Sequence, residues 1–274
     1  MHILVCTIGS KQRETTLHFS LAVMRALAGR ITLLGVVSKE RNAAELFTFL
    51  NEAAAELVTE GLEVHVQVET GDAESLVMAE LEAGEYDLVA LGALGGKRSR
   101  RMFLDSVAMR IVERARVSVL CVKGNRTELS KVLICASGTE MGHLSVWAGA
   151  ALACGAGAST TVLHVVDALP TMYTGLEQME ETLAELLQSD TQTASELRWA
   201  AQVVKAECEV SEVKLRRGIV VDEILHEAQR GDYDLIVIGS SEVGGGLRLA
   251  LMGNLAREVM VRADRPVLVV RPIK

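Results

Sequence analysis

A chain of 274 residues is long for one domain and comfortable for two of about 130 residues each. Its 36 acidic against 28 basic side chains leave a formal charge of −8, which excludes a general nucleic-acid binder, because phosphate neutralisation needs a basic face. No run reaches the roughly 18 consecutive apolar residues of a membrane span; the best stretch, Val146 to Gly157, is short and mostly Ala and Gly.

Aromatic residues make up only 3% of the chain against 49% apolar overall, so Val, Leu, Ala and Ile must fill the core. Parallel sheets covered by helices on both faces use such residues. Met1-His2-Ile3-Leu4-Val5 carries no basic segment ahead of its apolar run, so no secretory leader is expected and the expected location is the cytoplasm. The five cysteines, Cys6, Cys121, Cys135, Cys154 and Cys208, include no CxxC pair. They are expected to be small buried hydrophobes with reduced thiols.

In chain order, apolar runs predict strands near 2–7, 31–37, 62–69, 87–91 and 117–122, with helical periodicity near 13–28, 41–59, 73–83 and 103–115. Asp72 is placed to cap the third helix, with Glu74 in its first turn. The segment 123–130 reads as a linker. Beyond it, strands are predicted near 131–136, 159–166, 207–215, 234–238 and 266–270, and helices near 141–154, 178–204, 219–230 and 247–262.

The second series repeats the first. Ile3-Leu4-Val5-Cys6 returns as Val132-Leu133-Ile134-Cys135, Gly9-Ser10 as Gly138-Thr139, and Val36-Val37 as Val165-Val166, all at an offset of 129 residues. Tyr86-Asp87-Leu88-Val89 returns as Tyr233-Asp234-Leu235-Ile236 at an offset of 147, which marks an 18-residue insertion between the second and third strands of copy two. That insertion brings Met172-Tyr173 and Leu176, Met179, Leu183, Leu186 and Leu187, a helical face expected to pack on its own sheet. The fold class is therefore α/β, two tandem doubly wound five-stranded parallel sheets, in domains 1–124 and 130–274.

Ligands in such sheets sit beyond the carboxyl ends of the strands, where strand order reverses. This points to Thr7-Ile8-Gly9-Ser10 with Gly92 to Ser106 in copy one, and to Ser137-Gly138-Thr139 with Gly239 to Asn254 in copy two. Glycines there let backbone N–H groups approach an anion at a helix start. They equally suit a tight strand-to-helix turn, and spacing alone does not separate these readings.

Each half resembles the universal stress protein domain, and the whole resembles the tandem form of that family. The features that carry the resemblance are the first strand ending in Gly-Ser/Thr, the Tyr-Asp-Leu-Val/Ile fourth strand, and in copy two Gly253-Asn254-Leu255-Ala256-Arg257-Glu258-Val259 before Pro266-Val267-Leu268-Val269-Val270. The resemblance implies an adenine nucleotide alpha hydrolase-like sheet of strand order 3-2-1-4-5. It also implies pairing of the last strands, here within one chain as a pseudo-dimer, with a homodimer of chains as a further expectation.

In that family a Gly-x2-Gly-x9-Gly-Ser/Thr loop holds ATP phosphates in the members that bind ATP. Copy one offers Gly92, Gly95 and Ser106 at that spacing, but Asp105 stands at the third glycine. A carboxylate there opposes phosphate by roughly 1 kcal/mol or more. Copy two has Glu242 at the second glycine, with Gly244 as a re-registered substitute and Gly253 and Asn254 closing the loop. ATP-binding relatives also carry an aspartate after strand one, where this chain has Ile8 and Ser137. By resemblance, copy two is the expected site for ATP or another adenine nucleotide: Val165 backbone for adenine, Ser137 for ribose, and Gly239, Gly244, Gly253 and Asn254 for phosphates.

The basic run Lys97-Arg98-Ser99-Arg100-Arg101 reads as a solvated loop, as a phosphate clamp, or as an intramolecular partner of the Glu-rich segment Glu177-Gln178-Met179-Glu180-Glu181. Six histidines show no metal-ligand spacing, and no Gly-x-Ser-x-Gly elbow occurs. No nucleophile with its base is nominated, so a binding protein is expected and not an enzyme. A nucleotide-responsive stress protein and a scaffold whose worn loops hold no nucleotide both remain open.

Overall fold

The computed structural model describes residues 1–8, 13–92, 106–137, 140–166, 183–208, 211–240 and 254–272. Copy one comprises β1 (His2–Ile8), α1 (Arg13–Leu27), β2 (Arg30–Val37), a 3-10 turn (Glu40–Asn42), α2 (Ala43–Thr59), β3 (Val64–Thr70), α3 (Ala73–Ala83), β4 (Leu88–Gly92), α4 (Val107–Arg114) and β5 (Ser118–Val122). Copy two comprises β6 (Lys131–Cys135), α5 (Glu140–Ala156), β7 (Ser159–Val166), α6 (Leu183–Gln188), α7 (Gln192–Glu207), β8 (Ser211–Arg217), α8 (Val220–Arg230), β9 (Leu235–Gly239), α9 (Asn254–Arg262) and β10 (Val267–Val270).

All ten strands form one sheet in the order β3-β2-β1-β4-β5-β10-β9-β6-β7-β8. Read outward from the middle, each half has the order 3-2-1-4-5 reversed, and all pairing within a half is parallel. The halves join antiparallel, Val267 opposite Cys121 and Val269 opposite Val119, so the final strands do pair with each other inside the chain. Successive strand residues face opposite sides, and the core divides accordingly. Ile3 and Val5 pack with Leu50 of α2, Leu21 of α1, Ala150 of α5 and Val204 of α7. Leu4 and Cys6 pack with Val77 of α3, Met109 of α4, Ile224 of α8 and Val259 of α9. Both layers run unbroken across the joint.

Two basic residues stitch that joint reciprocally. Lys123, just after β5, donates its Nζ to the carbonyls of Met260, Val261 and Ala263, the last two at 3.4 Å, at the end of α9. Arg271, just after β10, donates Nη2 to the Val112 carbonyl of α4 at 2.7 Å. Each copy thus caps a helix of the other at its carbonyl end, where the helix dipole favours a cation. Both side chains are buried, and burial pulls the Lys123 pKa down and that of Arg271 to about 10.

The Tyr-Asp pair at the start of each fourth strand has a structural role at the amino ends of the sheet. Asp87 accepts the His2 N–H at 2.7 Å, and Asp234 accepts those of Ser130 and Lys131 at 2.9 and 3.0 Å. Tyr86 donates to Glu80, and Tyr233 to Thr161 at 2.8 Å.

Several expectations need correction. The helix expected over 178–204 is, in its described part from 183, two helices: Ser189-Asp190-Thr191 interrupts it, because the Thr191 hydroxyl caps α7 by accepting the Ala194 N–H at 3.2 Å; 178–182 lie outside the described residues. The strand expected from 207 starts at Ser211, since Glu207 still belongs to α7 and Cys208 is its C-cap. Cys154 is exposed on α5, whereas the other four cysteines are buried, and all five are free thiols. The linker is pinned: Arg126 pairs with Asp232 and, at 2.8 Å, with Asp234. Leu183, Leu186 and Leu187 do pack on their own sheet, against Leu197, Val213 and Leu215; Met172, Tyr173, Leu176 and Met179 lie outside the described residues.

Candidate functional site

Strand order reverses at β1 and again at β6, so each half leaves a crevice beyond the carboxyl ends of its central strands. Because the halves meet antiparallel, these crevices open at opposite ends of the ten-stranded sheet. The nine site residues expected from the sequence therefore fall into two sets. Ser137, Val165, Gly239 and Asn254 belong to one end, Gly92 and Ser106 to the other. Gly95, Gly244 and Gly253, with Asp105, Glu242 and the run Lys97 to Arg101, lie outside the described residues.

In copy two, β6 sits between β7 and β9, with Cys135 opposite Leu163 and Ile134 opposite Val237. The Ala136 N–H extends the ladder to the Leu163 carbonyl at 2.9 Å, which delivers the exposed Ser137 to the strand end. Val165 is the penultimate residue of β7 and Gly239 the last of β9, opposite Val270. Asn254 opens α9 and is exposed. Since α9 crosses back between parallel strands, its first turn lies at the carboxyl end, where its free N–H groups favour an anion.

Copy one differs. Ser106 spends its oxygen on capping α4, accepting the Met109 N–H at 3.2 Å. Gly92 ends β4 under α1, and a Cβ there would stand 2.3 Å from the Thr16 Oγ1. Packing alone therefore requires that glycine, which favours the tight-turn reading for this position.

Sequence reasoning missed the walls of the copy-two crevice. Ser137, Gly142, His143, His164, Glu196 and Trp199 enclose a cavity of about 10 Å³, the room of one water. The His164 ring nitrogen Nδ1 lies 3.0 Å from the Ala136 carbonyl. His143 pairs with Glu196, and its ring centroid is 4.2 Å from that of Trp199. Trp147 meets Trp199 edge-on at 6.2 Å. The signal for this cluster was a contrast between the copies. At the position of His164 copy one has Gly35, where a Cβ would meet Leu46 at 2.7 Å, so α2 lies directly on its strand while α7 leaves a polar gap.

Burial pushes the Cys135 thiol, which ends β6, up to about 12. Among the described residues no three His, Cys, Asp or Glu side chains converge as a metal site, and no helix is long and apolar enough to cross a membrane.

The family model for universal stress proteins matches residues 1–123 and again 128–271. A curated universal stress protein of Methanocaldococcus jannaschii is 32% identical over 121 residues, which span 43% of this chain and 67% of that protein. Among solved structures, a functionally unknown protein of Pseudomonas aeruginosa PAO1 aligns with a TM-score of 0.72 and 21% identity, covering 99% of this chain and 92% of the other. A universal stress protein of Archaeoglobus fulgidus aligns at 0.65 and 18% identity, covering 98% and 96%. At these identities the solved structures establish the fold, and the two consecutive family matches establish the kinship: the chain belongs to the universal stress protein family, in tandem two-domain form.

Proposed function

We propose that this protein is a non-catalytic binding protein of the stress response, and that its copy-two strand ends take ATP or another adenine nucleotide. The observation that carries this reading is the convergence of Ser137, Val165 and Gly239 on adjacent strand ends at the point where strand order reverses. The open amino end of α9 adds donors for phosphate. In the resemblance, Ser137 takes the ribose position, the Val165 backbone the adenine position, and Gly239, Gly244, Gly253 and Asn254 the phosphate positions. Copy one has apolar Ile8 in the ribose position and commits Ser106 to its helix. The enclosed space beside Ser137 holds about one water, so a nucleotide on this reading lies over the strand ends.

Thermal unfolding with ATP, AMP and cyclic nucleotides tests the proposal. A ligand at a hundredfold excess over its Kd stabilises the fold by about 2.7 kcal/mol. Gly253→Leu is expected to abolish the shift while Gly95→Leu leaves it. A shift surviving Gly253→Leu and lost with Gly95→Leu moves the site to copy one. The carboxylates Asp105 and Glu242, standing where the phosphate loop calls for glycine, favour a second reading, a scaffold that binds no nucleotide. No shift with any nucleotide establishes that reading instead.

A further inference from the structure

Helices α5 and α7 run parallel, because each returns from the carboxyl end of one strand to the amino end of the next strand in a parallel set. They pack side by side. The stripe of α5 that faces α7 contains His143, Trp147, Ala150 and Cys154, spaced three or four residues apart as one helix face requires. Trp199 of α7 touches both His143 and Trp147, with ring centroids at 4.2 and 6.2 Å. Its level on α5 is therefore residue 145. Both helices climb about 1.5 Å per residue, so nine residues further along each lie Cys208 and Cys154.

A direct contact confirms this register. The Cys208 thiol donates to the Ala150 carbonyl at 3.5 Å. In an α-helix the same carbonyl accepts the N–H of the residue four places on, here Cys154. The Cys208 thiol and the Cys154 backbone N–H thus share one carbonyl oxygen, which puts the two residues side by side across the helix pair. Cys154 is exposed and Cys208 is 5% exposed, an accessible thiol beside a sheltered one. Burial raises the Cys208 pKa, and the nearby Cys154 charge raises it further, in keeping with this proximity.

We propose that Cys154 and Cys208 are a redox pair that closes into an intramolecular disulfide on exposure to hydrogen peroxide. The Cys154 thiolate attacks a peroxide oxygen, the O–O bond breaks, and hydroxide leaves and takes a proton to become water, giving a sulfenic acid. The Cys208 thiol then loses its proton and attacks that sulfur, the S–S bond forms, the S–O bond breaks and a second water departs. Two thiols are oxidised and one peroxide is reduced to two waters. The other three cysteines are buried in strands, where peroxide does not reach them and none lies beside the exposed Cys154 as Cys208 does. The bond ties together α5 and α7, the helices that wall the cavity beside Ser137 at their other ends.

The test is intact mass and peptide mapping of the full chain after peroxide treatment and alkylation. The expected product is a monomer lighter by two hydrogens, with two of its five thiols protected from alkylation, a linked peptide pair carrying Cys154 and Cys208, and full reversal by dithiothreitol. Cys208→Ser is expected to leave a sulfenic acid on Cys154 that a cyclic dione traps, and Cys154→Ser to remove the reaction. The wild-type measurement is decisive without either variant. A stable sulfenic or sulfinic acid on wild-type Cys154, a disulfide between two chains, or no oxidation of either residue overturns the proposal.

Discussion

Glu227 is 1% exposed on α8, a depth at which a carboxylate survives only if its oxygens are satisfied. It accepts from Lys214 at 2.9 Å, from the Arg216 Nε at 2.8 Å and from the Tyr233 hydroxyl at 3.3 Å. Burial works to raise its pKa, but the hydrogen bonds from Lys214 and Arg216 outweigh it and the net shift is downward. A carboxyl depressed by folding stabilises the native state above its ordinary value of 4.5, and that contribution is lost as pH falls through the lower folded value. Removing the charge leaves two cations facing a neutral amide, although both remain partly exposed to water, which moderates the cost. Glu227→Gln is therefore expected to destabilise by about 2 kcal/mol at pH 7. The gap to wild type should narrow as denaturant titrations are taken below pH 4.5. Among the described residues the equivalent Glu80 receives Tyr86 but no such pair of cations, so Glu80→Gln should cost about 1 kcal/mol. Equal costs at the two positions would refute the assignment of stability to the Lys214–Glu227–Arg216 cluster.

At the level of elements, most strands and helices of copy one were legible to within two residues, because its apolar runs are uninterrupted and Asp72 caps α3 as its position suggested, accepting the Ser75 N–H at 2.9 Å; the exception is α4, expected from 103, which starts at Val107 behind its Ser106 cap. Copy two was harder inside its insertion. Periodicity carries across Ser189-Asp190-Thr191 without a break, and only the cap geometry separates α6 from α7. For the candidate site, strand ends were legible from topology, whereas the wall residues His143, Glu196 and Trp199 were not, since they come from two helices whose register only the packing fixes. The reciprocal caps were hidden for the same reason: Lys123 read as the first residue of a linker and Arg271 as a residue just past the last strand. Lys123 has several carbonyl partners, so Lys123→Met should destabilise by about 1–2 kcal/mol. Among the described residues Arg271 finds no hydrogen-bond partner for its buried Nε and Nη1, so desolvation offsets most of what its bond to Val112 contributes. Arg271→Met should change stability by less than about 1 kcal/mol, since a well-packed apolar side chain commonly replaces a buried cation at little cost. Paired chemical unfolding curves of these two variants check the asymmetry.

For the whole molecule, the question is whether two ancestral units still unfold as two. Each layer of core passes through the joint: Leu120, Val122, Leu268 and Val270 belong to one layer with α1 and α5, and Val119, Cys121, Val267 and Val269 to the other with α4 and α9. Pulling the halves apart would expose both layers and the edges of β5 and β10 at once, and would strand Lys123 and Arg271 beside unmatched helix ends. Partial unfolding of one half alone is therefore costly, and a single cooperative transition is expected. The chain supplies its own reporter, because its two tryptophans, Trp147 and Trp199, both lie in copy two, while far-ultraviolet circular dichroism follows both copies. Tryptophan fluorescence and dichroism should give coincident midpoints and equal denaturant slopes in urea. If fluorescence is lost at a lower urea concentration while half of the ellipticity persists, the joint is too weak to couple the copies. The Lys123→Met variant sharpens the test: by removing one cross-joint cap it should lower both midpoints together if the coupling holds, and separate them if it does not.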